Sequence, residues 1–478
     1  MKKYSPLAFL FSLLFAVSAY AGEGRYTLPL TGGGWSLWLD KEASWQNDRL
    51  YLPHEITDLS LLPVNTPTGG WQALNDNLDA VSVEVPGTVE EYLTTSDNPR
   101  PEDFKGVSWW YRKITIPADQ ANKRHLIYFE SVRMRAEVYL DGKLVAYDLI
   151  GETPFHVDIT KEAKPGTEQL LAVRVTNPGG NFHWQDFDIQ KWGEYNIPPA
   201  RSFSGIIGRV KLESVNPVFI SDIYMQNTPE PTKVNAIISF TNETPSSVKQ
   251  DVELTVSEKN RPDKVVFRQL LKHVSFPPGK REMMIPVSVS DAKLWDLDTP
   301  ELYTCNIQIK KGKNTLDRDK KNFGFRWFSA EGVGTDAVLR LNGRRVMLRS
   351  AISWGYFPVT GLIATPEMAE KQVLTAKKLG LNMLNFHRCI GSPVVLEKTD
   401  ELGLLYYEEP GSFHSANHDP FIRTIVNEKL KRMVHRDRSH PSLIIFNLIN
   451  EFGGPLSRDK ELVAKRMNDM REAHAVDP

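Results

Sequence analysis

The residues best placed to do chemistry are Asn450 and Glu451. They close the run Phe446-Asn447-Leu448-Ile449-Asn450-Glu451, in which the apolar stretch Ser442-Leu-Ile-Ile-Phe446 leads straight into an amide and a carboxyl. A carboxyl at the C-terminal end of a parallel strand can serve as a general acid where its surroundings raise its pKa. The amide beside it can hydrogen-bond a substrate hydroxyl. On local grounds alone a helix cap or a surface carboxylate explains the same residues equally well.

Further candidates lie at comparable places. Glu408-Glu409-Pro410 follow the strand-like run Leu404-Leu-Tyr-Tyr407. One of the two glutamates, Glu408 as the first candidate, can bind substrate or support a neighbouring acid. A rim salt bridge is the alternative, and like-charge crowding there raises a pKa. Trp354 can stack on a sugar face or fill a core. The segment from Asn181 to Trp192 is unusually aromatic for a loop and carries Trp184 and Asp186. Aromatic faces beside carboxylates suit sugars, which offer C–H faces and a rim of hydroxyls. A self-packed long loop reads the same way. Zinc, EF-hand, phosphate-loop and nucleotide spacings are absent from the sequence, so no metal and no cofactor are expected. No Ser-His-Asp or Cys-His constellation is evident.

The elements that must position these groups fall into three segments. Residues 22–215 read as short strands between turns. Trp110–Pro117, His125–Glu130 and Leu170–Val175 are examples, with Ala136–Leu140 and Lys143–Ala146 joined by Asp141-Gly142, a hairpin signal. This predicts a jelly-roll-like β-sandwich. Residues 216–328 alternate in the same way, at Asn235–Phe240, Asp251–Val256 and Tyr303–Ile309, and suit an immunoglobulin-like sandwich.

From residue 329 to 478 strands alternate with helical patterns. Strands are expected at Val346–Leu348, Asn382–Phe386, Leu404–Tyr407 and Ser442–Phe446. Helices are expected after Thr365-Pro366, Ser392-Pro393 and Asp419-Pro420, and a last one has Val463, Met467, Met470 and His474 on one face. Four βα units predict parallel strands, either the first half of a (β/α)8 TIM barrel or an open four-stranded α/β domain.

Composition narrows the function classes. The 478 residues are 41% hydrophobic, with 58 basic against 59 acidic residues. That is ample apolar material for several cores, and no basic field exists for a nucleic-acid partner. Cys305 and Cys389 are too few for a disulfide scaffold. Lys2-Lys3, the apolar run Leu7–Val17 and Ala19-Tyr20-Ala21 predict a secretory signal peptide over 1–21, with a buried N-terminal helix as the alternative. No later run suits a membrane span. The mature chain is expected to be soluble and exported, periplasmic or extracellular.

Arg436-Asp-Arg-Ser-His-Pro-Ser442 followed by Asn450-Glu451 resembles the "RDxNHPSI…NE" signature of glycoside hydrolase family 2, the group of β-galactosidases, β-glucuronidases and β-mannosidases. The resemblance runs along the chain. Gly106-Val-Ser-Trp-Trp-Tyr-Arg-Lys113 is similar to that family's "WYRR" strand, Val138-Tyr-Leu-Asp-Gly-Lys143 to its "VxLNGK" hairpin, and Thr153–Thr160 to its "TPFExDIT" segment. Gly205-Ile-Ile-Gly208, Leu294-Trp295, Pro300–Tyr303, Phe323–Arg326 and Leu341–Arg344 follow in the family's order.

The resemblance implies a hydrolase of terminal β-glycosidic bonds, β-galactosidase-like, that works with retention on an oligosaccharide or glycoside. It implies Glu451 as acid/base and Asn450 as a substrate contact. It places sugar contacts after the second barrel strand, at His387-Arg388, with His387 as the candidate ligand and a hydrogen-bonded rim histidine as the alternative. The family's usual "R…HYP" reads Asn385-Phe-His-Arg-Cys-Ile-Gly391 here. It also implies a nucleophilic glutamate on a later strand, outside this chain, which would leave the chain truncated within its barrel and inactive alone. A non-catalytic carbohydrate-binding protein is the rival expectation.

Overall fold

The computed structural model describes residues 24–76, 79–93, 104–180, 189–198, 203–355, 357, 361–411, 419–452 and 456–477, together with the strand Tyr20–Ala21. Trp184, Asp186 and most of the expected leader lie outside the described residues.

The first segment folds as two facing antiparallel sheets. One runs in the order Tyr20–Ala21, Tyr26–Pro29, Val210–Val215, Arg124–Phe129, Phe155–Asp158. The other runs Val81–Val85, Gly32–Asp40, Gly106–Thr115, Glu168–Asn177, Arg135–Leu140, Lys143–Asp148. Alternate side chains meet between them, among them Trp110, Ile127, Phe129, Val138, Val173 and Leu212. The predicted hairpin forms at Asp141 (φ 47°) and Gly142 (φ 79°), both left-handed as a two-residue turn requires.

The second segment is a sandwich of a three-stranded and a four-stranded sheet. Val218–Asn227, Lys233–Asn242 and Gly279–Ser288 face Arg261–Phe276, Val248–Glu258, Tyr303–Lys311 and Asn314–Phe323. Phe240, Leu254, Ile285 and Ile307 lie in the layer between.

The third segment carries four βα units: β1 (Ser350–Ser353), α1 (Pro366–Lys378), β2 (Met383–Phe386), α2 (Pro393–Leu402), β3 (Leu405–Glu408), α3 (Pro420–Asp437), β4 (Leu443–Phe446) and α4 (Lys460–His474). The strands are parallel and adjacent in chain order. Thr365 caps α1 by accepting from Met368 N–H, Asp419 caps α3, and Gly403 ends α2 at φ 71°. Leu384, Phe386 and Tyr406 point toward Ala369, Val373, Val395 and Leu396 on the helices.

Two expectations change. The first parallel strand is Ser350–Ser353, not Val346–Leu348. Val346 and Leu348 pack instead with Trp295, Leu302, Leu341, Met383 and Leu405, sealing the N-terminal ends of the strands. On α4 the buried residues are Leu462, Arg466 and Asp469, whereas Met467 and Met470 are 45% and 51% exposed. The helix docks through polar groups: Asn427 of α3 donates to Asp469 (2.7 Å), and Arg466 reaches Asn427 and Asp469 (3.0 Å each).

Both sandwiches grip the parallel sheet. Arg326 donates to Pro441 O (3.1 Å) and Leu443 O (2.9 Å) at the start of β4. Glu152 pairs with Arg133 (3.0 Å) and with Lys429 of α3 (2.9 Å), and Asp148 pairs with Arg432 (2.7 Å). Among the described residues no helix is long and apolar enough to cross a membrane.

Candidate active site

With the N-terminal strand ends sealed, the polar residues that follow β2, β3 and β4 gather at the opposite end. The pleat decides which way each points. In one row across the sheet Ile352, Asn385, Tyr407 and Ile445 are paired; in the next, Ser353, Phe386, Glu408 and Phe446. Glu408 therefore points with Phe386 toward the helices, and Glu409 points the other way.

That alternation separates Glu408 from Glu409. The Glu408 side chain is wholly enclosed, on the helix side of the sheet. It accepts from Gly391 N–H (3.1 Å) and lies 4.0 Å from Arg436, which is bidentate on Asp437 and donates to Gly391 O (2.7 Å). Burial, and then the charge of Asp437, push the Glu408 carboxyl well above the usual range. The surrounding node shapes the 387–391 turn from behind.

Glu409 is also enclosed, but among the residues of interest. Its Oε1 accepts from Arg388 N–H (2.8 Å) and lies 3.5 Å from His387 Nδ1. Its Oε2 accepts from Asn447 Nδ2 (3.2 Å), which also donates to Tyr407 OH (2.8 Å) and Ile449 O (3.0 Å). Burial, and then the charge of Glu409, raise the Tyr407 phenol above its ordinary value.

Arg388 connects this base to Asn450 and Glu451. Its Nε donates to Asn450 Oδ1 (3.1 Å), and its Nη2 lies 3.4 Å from Glu451 Oε1. Trp354 meets His387 edge-on with ring centroids 4.6 Å apart, and the Arg388 guanidinium sits 5.8 Å from the Trp354 ring. The structure thus brings together Glu451, Asn450, His387 and Trp354. Glu451 is open, its side chain 60% exposed, beside an aromatic wall and fixed donors. Such an arrangement can move a proton at a substrate held against Trp354 and His387.

Sequence reasoning placed Arg388 with His387 among the groups after the second barrel strand but did not join it to Glu451, and it gave Asn447 no role, although both stand inside the quoted motifs. From the first sandwich, the ring of Phe203 sits where a Cβ on Gly361 would lie, 2.4 Å away, so that domain reaches the segment after β1. Among the described residues no group of three His, Cys, Asp or Glu side chains could hold a metal ion.

Two family models match the chain: glycosyl hydrolases family 2, sugar binding domain, over residues 71–198, and glycosyl hydrolases family 2 over residues 218–326. A β-galactosidase of Thermoanaerobacter pseudethanolicus is 28% identical over 382 residues, covering 79% of this chain and 48% of that protein. A β-glucuronidase of Formosa agariphila is 25% identical over 362 residues, covering 72% of this chain and 36% of that protein. A crystal structure of a glycosyl hydrolase family 2 member from Bacteroides cellulosilyticus superposes with a TM-score of 0.74 at 20% identity, over 94% of this chain and 55% of that one. The chain spans about half the length of the curated relatives it matches.

Proposed function

The chain belongs to glycosyl hydrolase family 2, and on that premise we propose that it carries the proton-transferring part of a retaining β-glycosidase site. The observation that carries the reading is Glu451 at the C-terminal end of four sequential parallel strands, paired with Arg388 and flanked by Asn450, His387 and Trp354. The four βα units are then the first half of a (β/α)8 barrel, whose chemistry sits at that end. Glu451 protonates the leaving oxygen of a terminal β-glycoside, then takes a proton from water in the second step. The Arg388 guanidinium stabilises the carboxylate left by the first transfer. Asn450 and His387 contact sugar hydroxyls, and Trp354 offers its face to the ring.

Retention needs a second carboxylate about 5–5.5 Å from the first. Glu408 and Glu409 are both enclosed and already engaged, so neither suits that role. The nucleophile is proposed to come from polypeptide beyond the four units described. The relatives act, by name, on β-galactosides and β-glucuronides, and a sugar of one of these classes is the proposed substrate. The lysine pair, apolar run and Ala-Tyr-Ala site support export.

The test is an assay of the whole polypeptide its gene encodes on aryl β-galactosides and β-glucuronides. Glu451→Gln should lower kcat/KM by roughly 10²- to 10⁴-fold on phenyl glycosides, the usual worth of a general acid. Unchanged turnover of those poor leaving groups overturns the assignment.

A further inference from the structure

We infer that Glu409 is a positioning residue of this site: one enclosed carboxylate that fixes the turn carrying His387 and Arg388 and, through Arg388, sets where Asn450 and Glu451 stand. The inference rests on reading Glu451 as the acid/base. Its physical basis is the set of partners. Glu409 Oε1 holds the Arg388 amide at 2.8 Å and faces His387 Nδ1 at 3.5 Å, while Oε2 holds Asn447 at 3.2 Å. Three strand ends, those of β2, β3 and β4, therefore converge on one side chain.

Arg388 needs such an anchor. Its φ of 55° is left-handed, a conformation unfavourable for a residue with a Cβ. The 2.8 Å bond from its amide to an enclosed carboxyl oxygen, with no water to compete for it, offsets that cost. With the backbone so fixed, the guanidinium points at Asn450 (3.1 Å) and Glu451 (3.4 Å). Glu408, next in the chain and equally enclosed, holds the turn only from the helix side, at Gly391 N–H.

An amide cannot replace this carboxylate at all its contacts. In Glu409→Gln one atom can still accept from Arg388 N–H, but the new NH2 faces Asn447 Nδ2. That group is itself an NH2, with hydrogens to donate and no lone pair to accept with, so two donors oppose each other.

The experiment compares the whole polypeptide and its E409Q variant on aryl β-glycosides of graded leaving-group acidity. A displaced acid slows only substrates whose leaving oxygen needs a proton. E409Q should lose about 10²-fold in kcat on phenyl glycosides, lose only about threefold on dinitrophenyl glycosides, and keep KM within about threefold. Equal losses on both, or none on either, overturn the inference. A wild-type polypeptide that turns over no glycoside overturns the glycosidase reading instead. The unsubstituted chain then decides this inference by NMR, whether or not E409Q folds. An Arg388 amide bonded to an enclosed carboxylate should resonate downfield and exchange slowly, and a rapidly exchanging one overturns the assignment.

Discussion

Arg388 and Glu451 meet as an ion pair at 3.4 Å across 63 residues of chain, and both have left-handed backbones, with φ of 55° and 52°. Left-handed residues with side chains are uncommon and cluster at functional sites, where the surrounding structure holds them. Arg388 lies two residues past the end of β2 and Glu451 five past the end of β4. The turn swings the side chain out of the sheet's alternation and toward the other residue. A regular strand continuation would send them to fixed faces instead.

Replacing Arg388 tests that geometry. Arg388→Lys keeps the charge but loses the fork that reaches Asn450 and Glu451 together. We expect kcat/KM of the whole polypeptide on phenyl β-glycosides to fall about 10²-fold, as for a misplaced catalytic group. The thermal midpoint should move by only a few degrees. Steady-state kinetics and a melt on the same preparation check both.

Glu408→Gln should leave stability equal or higher at pH 7–8. Burial and Asp437 hold the folded Glu408 carboxyl well above its ordinary value, whereas in the unfolded chain it ionises near about 4.3. Between those two values only the unfolded state carries the charge. Wild-type stability therefore declines as pH rises through that window. Gln removes the decline. Urea midpoints of both proteins from pH 4 to 8 should converge at the acid end and separate above it.

His440 gives the opposite sign. Its Nδ1 lies 2.6 Å from Asp400, which also accepts from Ser442 N–H (3.1 Å). Burial alone would lower the His440 pKa, but the charge and hydrogen bond of Asp400 raise it above the usual value. The pair's contribution is fully present below about pH 6.5 and is lost as pH rises through the folded pKa. The melting difference between wild type and His440→Gln should be largest near pH 5.5 and shrink toward pH 9.

Gly391→Ala should be costly although the change is one methyl. The added Cβ would lie 2.3 Å from the Phe386 ring and 2.8 Å from the Glu408 carboxyl. Overpacking of this kind costs about 1–3 kcal/mol. The urea midpoint should fall accordingly, and turnover should drop with it because the 387–391 turn is displaced. An unchanged midpoint would show that the turn yields easily.

The amino-acid sequence by itself determined the elements. Period-two alternation marked the sandwich strands, and Thr365-Pro366, Asp419-Pro420 and Gly403 marked the helix ends, because these signals act within a few residues. It also placed Asn450-Glu451 just past a parallel strand. Tertiary structure decided the rest. Periodicity shows which residues share a face but not which face finds a partner, so α4 buries Arg466 and Asp469 rather than Met467 and Met470. Glu408 and Glu409 are alike in sequence, and only the pleat of β3 sends one to the helices and the other to Arg388 and Asn447. The site is assembled by contacts between residues up to 63 positions apart, and pairing over that distance leaves no trace in local spacing.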